Sequence, residues 1–411
     1  MKRTIALLAL ATVVSHALAR STFPILLPAI EDDLLGNHQQ AGLLTTINFG
    51  AYLAGVALVT TISGRMEPVR LLYSGLVSAG AGFVVLATAD GFAELALGQA
   101  LAGMGSAGIW MSAPIIATAT VAPNRKGTVM GLMSSTMGLA IFVISQGTNV
   151  MRRVQDNDQA WRPTWLAAAG FVVVLLAAMV LVLRTPPTAR ITGGVSLARL
   201  RAVPRWPALM IGYCLFGFVV SSFTPFFGAA LEENGFSRGH VGNLYSLFGL
   251  SAAVAAVGLG RVSDRIGRRP VLVGALVTMS GAAMLVVAGR EPFAAVAALL
   301  FGAASFTFPV LIVTYLSDHL QGREFSNALG ALTLIYGAAL AAGPFVSGTI
   351  GDSRFGFDVV FMIVAVLAVA GAVSIGQLPN ERHSGPSNGV AQTGRLTTAA
   401  TAPKTTTPPR A

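Results

Sequence analysis

Apolar stretches of about 20 residues, the length at which a helix crosses a hydrocarbon core, recur twelve times along the chain. They fall at 5–29, 40–62, 69–89, 93–117, 127–150, 161–183, 206–230, 240–260, 270–289, 292–316, 326–350 and 356–378. Short polar runs carrying Gly, Pro and charge separate them. The pattern predicts an all-α integral membrane protein with twelve transmembrane helices. Its longest internal polar interruption, 184–205, divides them into two six-helix halves, 1–183 and 206–378. The segment 379–411 turns to Thr, Pro, Ala and Ser and has too little apolar surface to order itself.

Composition strengthens this reading and excludes others. The chain of 411 residues is 54% hydrophobic and 11% charged, far outside the soluble range. One cysteine, Cys214, leaves no intramolecular disulfide. The net charge of +10 is read against topology rather than as a nucleic-acid footprint. With the N-terminus inside, Lys2, Arg3, Arg65, Arg70, Arg125, Lys126, the arginines of 184–205, Arg261, Arg265, Arg268 and Arg269 all face the cytoplasm. The outer loops hold only Arg152, Arg153, Arg162, Arg238, Arg290 and Arg354. Positive residues gather inside, so both termini are expected in the cytoplasm, with 184–205 as a cytoplasmic linker loop, in a multi-pass protein of the cell inner membrane.

The two halves are related by an internal repeat. STFPILLPAIEDDLLG from Ser21 aligns with SFTPFFGAALEENG from Ser222, with Pro24 on Pro225 and Glu31 on Glu232. LLYSGLVSAGAG from Leu71 matches VLVGALVTMSGA from Val271, and RKGTVMGL from Arg125 matches REFSNALGAL from Arg323. Taken alone, Lys2 and Arg3, the apolar run and the A-x-A pattern at Ala17 to Ala19 read as a cleaved signal peptide. The counterpart of this segment lies inside the chain, so an uncleaved first span is expected.

These spans, together with GRVSDRIGRRP from Gly260 to Pro270 between spans eight and nine, resemble the major facilitator superfamily. More narrowly, ARSTFPILLPAI, TINFGAYLAG and GYCLFGFVVSSFTPFFGAALEENGFS are similar to its YbfB/YjiJ-type bacterial subgroup. The resemblance implies a transporter whose halves alternate access to a midplane site. It also implies that the loop of Asp264, Arg265, Gly267, Arg268 and Arg269 gates by stabilising one access state. A carboxylate there can accept from a partner helix N-terminus, whereas the arginines alone could merely fix topology. The first-half counterpart, SGRMEPVR, has lost the pattern. Gln99 stands where many proton-coupled members carry an arginine. Span five lacks the G-P-x-x-G-G bend of drug/proton antiporters, while span eleven contains GPFVSG from Gly343.

None of the 17 acidic residues falls clearly at mid-membrane on this topology, Glu94 and Asp318 being the two that could lie deeper than their helix ends. Arg20 does lie deep. A rise of about 1.5 Å per residue leaves it roughly 15 Å short of the outer helix end. Its side chain leans back toward the helix N-terminus. Leaving that charge in lipid would cost about 2.5–3.5 kcal/mol on insertion scales, so a central cavity is its expected environment. The repeat puts Ser221 opposite Arg20, so the fold does not require the charge. His16, one turn earlier on the same face, is the candidate buried proton carrier.

Asn48, Tyr52, Gln99, Trp110, Gln146, Tyr245 and Tyr336 complete the candidate lining, each also readable as ordinary packing. Arg20 could equally hold helices together through carbonyls or amides, and His16 could be a hydrogen-bonded packing residue. The expected function is secondary active transport of a small organic solute, an organic anion held by Arg20, with the proton as a candidate coupling ion. The rivals are hydrophobic drug efflux and a non-transporting membrane receptor or scaffold. No cofactor, metal site or catalytic motif is expected, and the expected assembly state is a monomer.

Overall fold

A computed structural model describes residues 2–62, 66–122, 126–155, 160–182, 196–320 and 322–379. The segment 380–411 and most of 184–205 therefore lie outside the described residues. The described chain is helical, with no strand among the described residues. Twelve long helices carry it: α1 Lys2–Leu34, α2 His38–Ile62, α3 Pro68–Ala87, α4 Phe92–Ala119, α5 Lys126–Gln155 and α6 Trp161–Val182, then α7 Trp206–Glu233, α8 Arg238–Ile266, α9 Arg268–Val287, α10 Glu291–His319, α11 Gly322–Gly351 and α12 Gly356–Ile375. Among the described residues eleven are long and apolar enough to cross a membrane. The twelfth, α8, has 29 residues and gathers Arg261, Asp264 and Arg265 into its last turns.

Local chemistry sets the helix ends. Proline enters α3, α7 and α10 in the first turn, where its missing N–H leaves no bond unmade. Ser237 caps α8 by accepting from the His240 N–H. Helices α8 and α9 are separated only by Gly267, whose φ of 98° is a conformation that side chains other than hydrogen resist. Both α1 and α7 carry the proline of the repeat inside the helix, Pro24 and Pro225, yet they differ one turn earlier. In α1 the residues Val14–Ser21 wind as a π-helix, whereas α7 is regular throughout.

Let the near end of the bundle be the end at which α1 begins. Among the described residues, the hydrogen bonds and close backbone contacts between the first six helices and the last six run from the far end to mid-depth. On the α2–α11 seam, the backbone N–H groups of His38 and Gln39 donate to the Asp352 carboxylate at 2.9 and 2.7 Å. A carboxylate from the other end of the sequence thus caps the free N–H groups that open α2. An added Cβ at Gly42 would stand 2.3 Å from the Pro344 oxygen, and one at Gly348 2.4 Å from the His38 oxygen. The glycines of GPFVSG and its partner helix therefore act by permitting backbone contact. Deeper, Thr46 Oγ1 donates to the Ala341 oxygen at 2.7 Å.

The α5–α8 seam repeats the arrangement. Arg152 Nη1 donates to the Arg238 oxygen, and Asn149 bonds the Gly239 oxygen and Asn243. Gly138 and Gly249 bring the backbones together, so that a Cβ on Gly138 would meet the Ala253 nitrogen at 2.6 Å. His38 also pairs with Glu31 of α1 at 2.8 Å and Glu233 of α7 at 3.5 Å, and Arg238 pairs with Asp32 and Glu232. The bundle is closed at its far end.

Removing the Asp352 clasp is expected to loosen that closure. In a Cys214→Ser background with a reporter cysteine at Thr46, Asp352→Ala should raise labelling by a water-soluble thiol reagent roughly fivefold. That is the effect of losing one good helix cap in a two-state equilibrium.

Candidate functional site

Arg20 sits at the end of the π-wound turn of α1. Wide turns of this kind bond from i to i+5 and recur at functional sites. The Thr22 N–H and its hydroxyl both reach the Ala17 oxygen, and the Ser21 hydroxyl reaches the His16 oxygen. Pro24 offers no N–H to the turn before it. The Ala19 carbonyl, five residues earlier, accepts from Asn48 Nδ2 of α2 at 3.1 Å.

The guanidinium carbon of Arg20 lies 3.9 Å from the centroid of the Tyr52 ring and 5.7 Å from that of Phe49. Such stacking stabilises a desolvated cation by about 2 kcal/mol. Its Nε and Nη2 are buried and have no hydrogen-bond partner in the protein. These two nitrogens form the side-on edge of the guanidinium, which matches a carboxylate bidentately. Every described acidic residue lies within three residues of a helix end or outside the helices. Asp318, at the near end, accepts from Arg268, and Glu94 accepts from the Asp90 N–H. The charge of Arg20 therefore has no acid at its own depth among the described residues.

Neighbouring helices complete the surroundings. His16 places its ring 4.2 Å from that of Trp110 and its Nδ1 3.0 Å from Ser15 Oγ. Ser15 and Ser106 exchange hydroxyl-to-carbonyl bonds that tie α1 to α4. Trp110 packs beside Tyr52, Val56 and Ala107. Asn48 Nδ2 also donates to the Gln99 carbonyl at 3.1 Å and to Gln99 Oε1 at 2.9 Å. This approach of α2 to α4 depends on Gly103, where a Cβ would stand 2.1 Å from the Asn48 oxygen.

From the last six helices comes an aromatic wall. Tyr213 of α7 stacks on Tyr336 of α11 at 4.4 Å, and Phe216 stacks on Phe308 at 4.3 Å. Gly217 allows Tyr336 to lie against α7, while Gly337 faces Leu53 of α2. Leu334 of α11, two residues before Tyr336, packs against the cluster of Tyr52, Val56 and Ala107, which brings this stack up to the Arg20 region.

Arg20, His16, Asn48, Tyr52, Gln99, Trp110 and Tyr336 are thus brought into one region, and two residues of the expected lining are not. Gln146 donates across the α5–α8 seam to Asn243 and Ser246. Tyr245 engages its hydroxyl with the Thr224 oxygen at 2.7 Å and accepts from the Gly228 N–H, fastening α8 to α7. Sequence reasoning missed Tyr213, Phe216 and Phe308. The signal was available in GYCLFG, where Tyr213 and Phe216 share a face at i, i+3 beside a glycine.

At the near end, Arg268 Nε reaches Asp318 at 3.4 Å and its Nη1 donates to Ser263 at 3.2 Å. These contacts hold the turn at Gly267 between α8 and α9. Arg265 is exposed and Arg269 half-buried, while the Asp264 side chain lies outside what the structure describes.

The family described as "Uncharacterised MFS-type transporter YbfB" matches residues 12–375. The chain belongs to this family of MFS-type membrane transporters. Among curated proteins it is similar to the inner membrane transport protein YajR of Escherichia coli K12, 27% identical over 158 residues, which is 38% of this chain and 33% of that protein. It is also similar to the class C tetracycline resistance protein of Escherichia coli, 30% identical over 137 residues, 31% of this chain and 32% of that protein. The class B protein of Escherichia coli is 32% identical over 143 residues, 32% of this chain and 33% of that protein. The matches thus span about a third of the length of these relatives.

Proposed function

We propose that the protein is a non-enzymatic secondary active transporter of the inner membrane that moves a small organic anion by alternating access. In this reading residues 1–183 and 206–378 rock around the Arg20 region. Both termini are cytoplasmic, so the far-end seams form the outer gate and the Gly267 turn lies at the cytoplasmic gate. The reading is carried by one observation: the carboxylate-matching edge of Arg20, Nε and Nη2, is buried without a protein partner. A structural arginine would use those hydrogens, because leaving a buried donor unmade costs about 1–3 kcal/mol and more for a charged group. A solute carboxylate supplies the missing acceptors, and Tyr52 together with the Tyr213 and Tyr336 stack supplies apolar contact for the rest of a small molecule. His16 is the group in this region able to carry a proton, which makes proton coupling part of the reading. Uptake of labelled carboxylates into proteoliposomes by the wild type and by Arg20→Gln tests it.

The aromatic wall, together with the tetracycline resistance relatives, favours a second reading, efflux of a hydrophobic drug. There the rings would dominate recognition, and Arg20 would contribute little. Loss of transport on Tyr336→Leu with retention on Arg20→Gln would select that reading.

A further inference from the structure

Beside Arg20 lies a second set of unpartnered polar atoms. The side chains of Asn48 and Gln99 are 3% and 1% exposed, and Asn48 Oδ1 and Gln99 Nε2 have no hydrogen-bond partner in the protein. Their orientations are fixed. All three neighbours of Asn48 Nδ2, the Ala19 oxygen, the Gln99 oxygen and Gln99 Oε1, are acceptors. Turning the Asn48 amide over would set an oxygen against three oxygens, and turning the Gln99 amide over would set N–H against N–H. One bond joins the two carboxamides, and each keeps one polar atom without a partner, an acceptor on Asn48 and a donor on Gln99.

We propose that this amide pair is a specificity subsite that reads a hydroxyl on the transported acid, so that the substrate class is a short hydroxycarboxylate. The inference rests on the anion reading above. A hydroxyl both donates and accepts, so its O–H donates to Asn48 Oδ1 while its oxygen accepts from Gln99 Nε2. An ammonium would satisfy Asn48 but has nothing for Gln99 to donate to, and the charge of Arg20 repels it. A second carboxylate has no hydrogen for Asn48. Spacing limits where the hydroxyl sits. Arg20 stacks on Tyr52, one turn of α2 beyond Asn48, a rise of about 6 Å, so a hydroxyl near the carboxylate of a short acid suits the subsite better than one at the far end of a long chain.

The test titrates matched probes against purified full-length protein and follows thermal stabilisation. The probes are lactate, propionate and alanine; 3-hydroxybutyrate and butyrate; and mandelate, phenylacetate and phenylglycine. In at least one set the hydroxy acid is expected to bind about tenfold or more tighter than its unsubstituted and amino partners, the discrimination typical of a site whose polar atoms would otherwise stay unpaired. Asn48→Leu and, where that variant fails to fold, Gln99→Met should bring the ratio to within about twofold. Acids that bind in an Arg20-dependent way but with hydroxyl ratios below about twofold in every set would overturn the subsite and leave the anion reading standing. Acids that bind no differently to Arg20→Gln, or that do not bind at all, would overturn the anion reading and the subsite with it.

Discussion

Arg20→Gln is expected to lower carboxylate affinity at least 30-fold and to reduce transport in proportion, while the protein still inserts and purifies as a folded species. The magnitude follows from removing one partner of a desolvated, hydrogen-bonded charge pair, which costs about 2–5 kcal/mol or more. Arg20→Lys should restore little, because an ammonium is a point charge without the two-hydrogen edge. Stability separates this account from a structural one. In the absence of solute, the Nε and Nη2 of Arg20 bond nothing in the protein, so Arg20→Gln loses the stacking on Tyr52 but also relieves the cost of an unpaired buried charge, and its melting temperature should hold or rise. If Arg20 served to hold helices together, the same substitution would lower the melting temperature and leave affinity for carboxylates alone.

Gly138→Val should produce the second large effect, a loss of transport of about tenfold or more in a protein that remains folded. A Cβ at Gly138 would stand 2.6 Å from the Ala253 nitrogen and 2.7 Å from the Gly249 oxygen. Both are helix backbone atoms that cannot turn aside as a flexible side chain would. Overpacking of this kind costs typically 1–3 kcal/mol. It acts at the α5–α8 seam, so the cost falls on the far-end-closed arrangement rather than on any single helix. Thiol labelling at Thr46 in the Cys214→Ser background should rise, reporting a population shifted to the far-end-open arrangement. Gly147→Val, on the same helix but facing open space, provides the control and should transport normally. Normal transport by Gly138→Val would mean that the α5–α8 contact does not close one of the working states.

Much of this arrangement was legible in the chain because a membrane-spanning helix announces itself by length and apolarity alone. The twelve expected spans coincide with α1 to α12, although several helices run past the apolar stretches at both ends, as α1 does from Lys2 to Leu34, while α3, α6, α9 and α12 stop one to three residues short of theirs. Arg20 was visible as a charge with no reason to be in its run, and the repeat sharpened it by placing Ser221 opposite. The π-wound turn at that position was not visible. It depends on Pro24 withholding an N–H while the Ser21 and Thr22 hydroxyls take the carbonyls of His16 and Ala17, a combination that leaves the apolar pattern unchanged. Gln146 and Tyr245 had the right type and depth for a cavity, but which way a helix face points is decided by its neighbours. One lies in the seam between α5 and α8, the other is fastened to α7. Gly103 and Gly138 carry backbone contacts that composition registers only as an abundance of glycine.

Counterflow in proteoliposomes tests the central claim most directly, since exchange of labelled solute needs alternating access but no identified coupling ion. Vesicles preloaded with an unlabelled carboxylate that stabilises the protein should accumulate the same labelled carboxylate transiently through the wild type and not through Arg20→Gln. Lipophilic cations should not compete. Equal accumulation through the two proteins, or exchange blocked by lipophilic cations and indifferent to carboxylates, would contradict an anion site at Arg20.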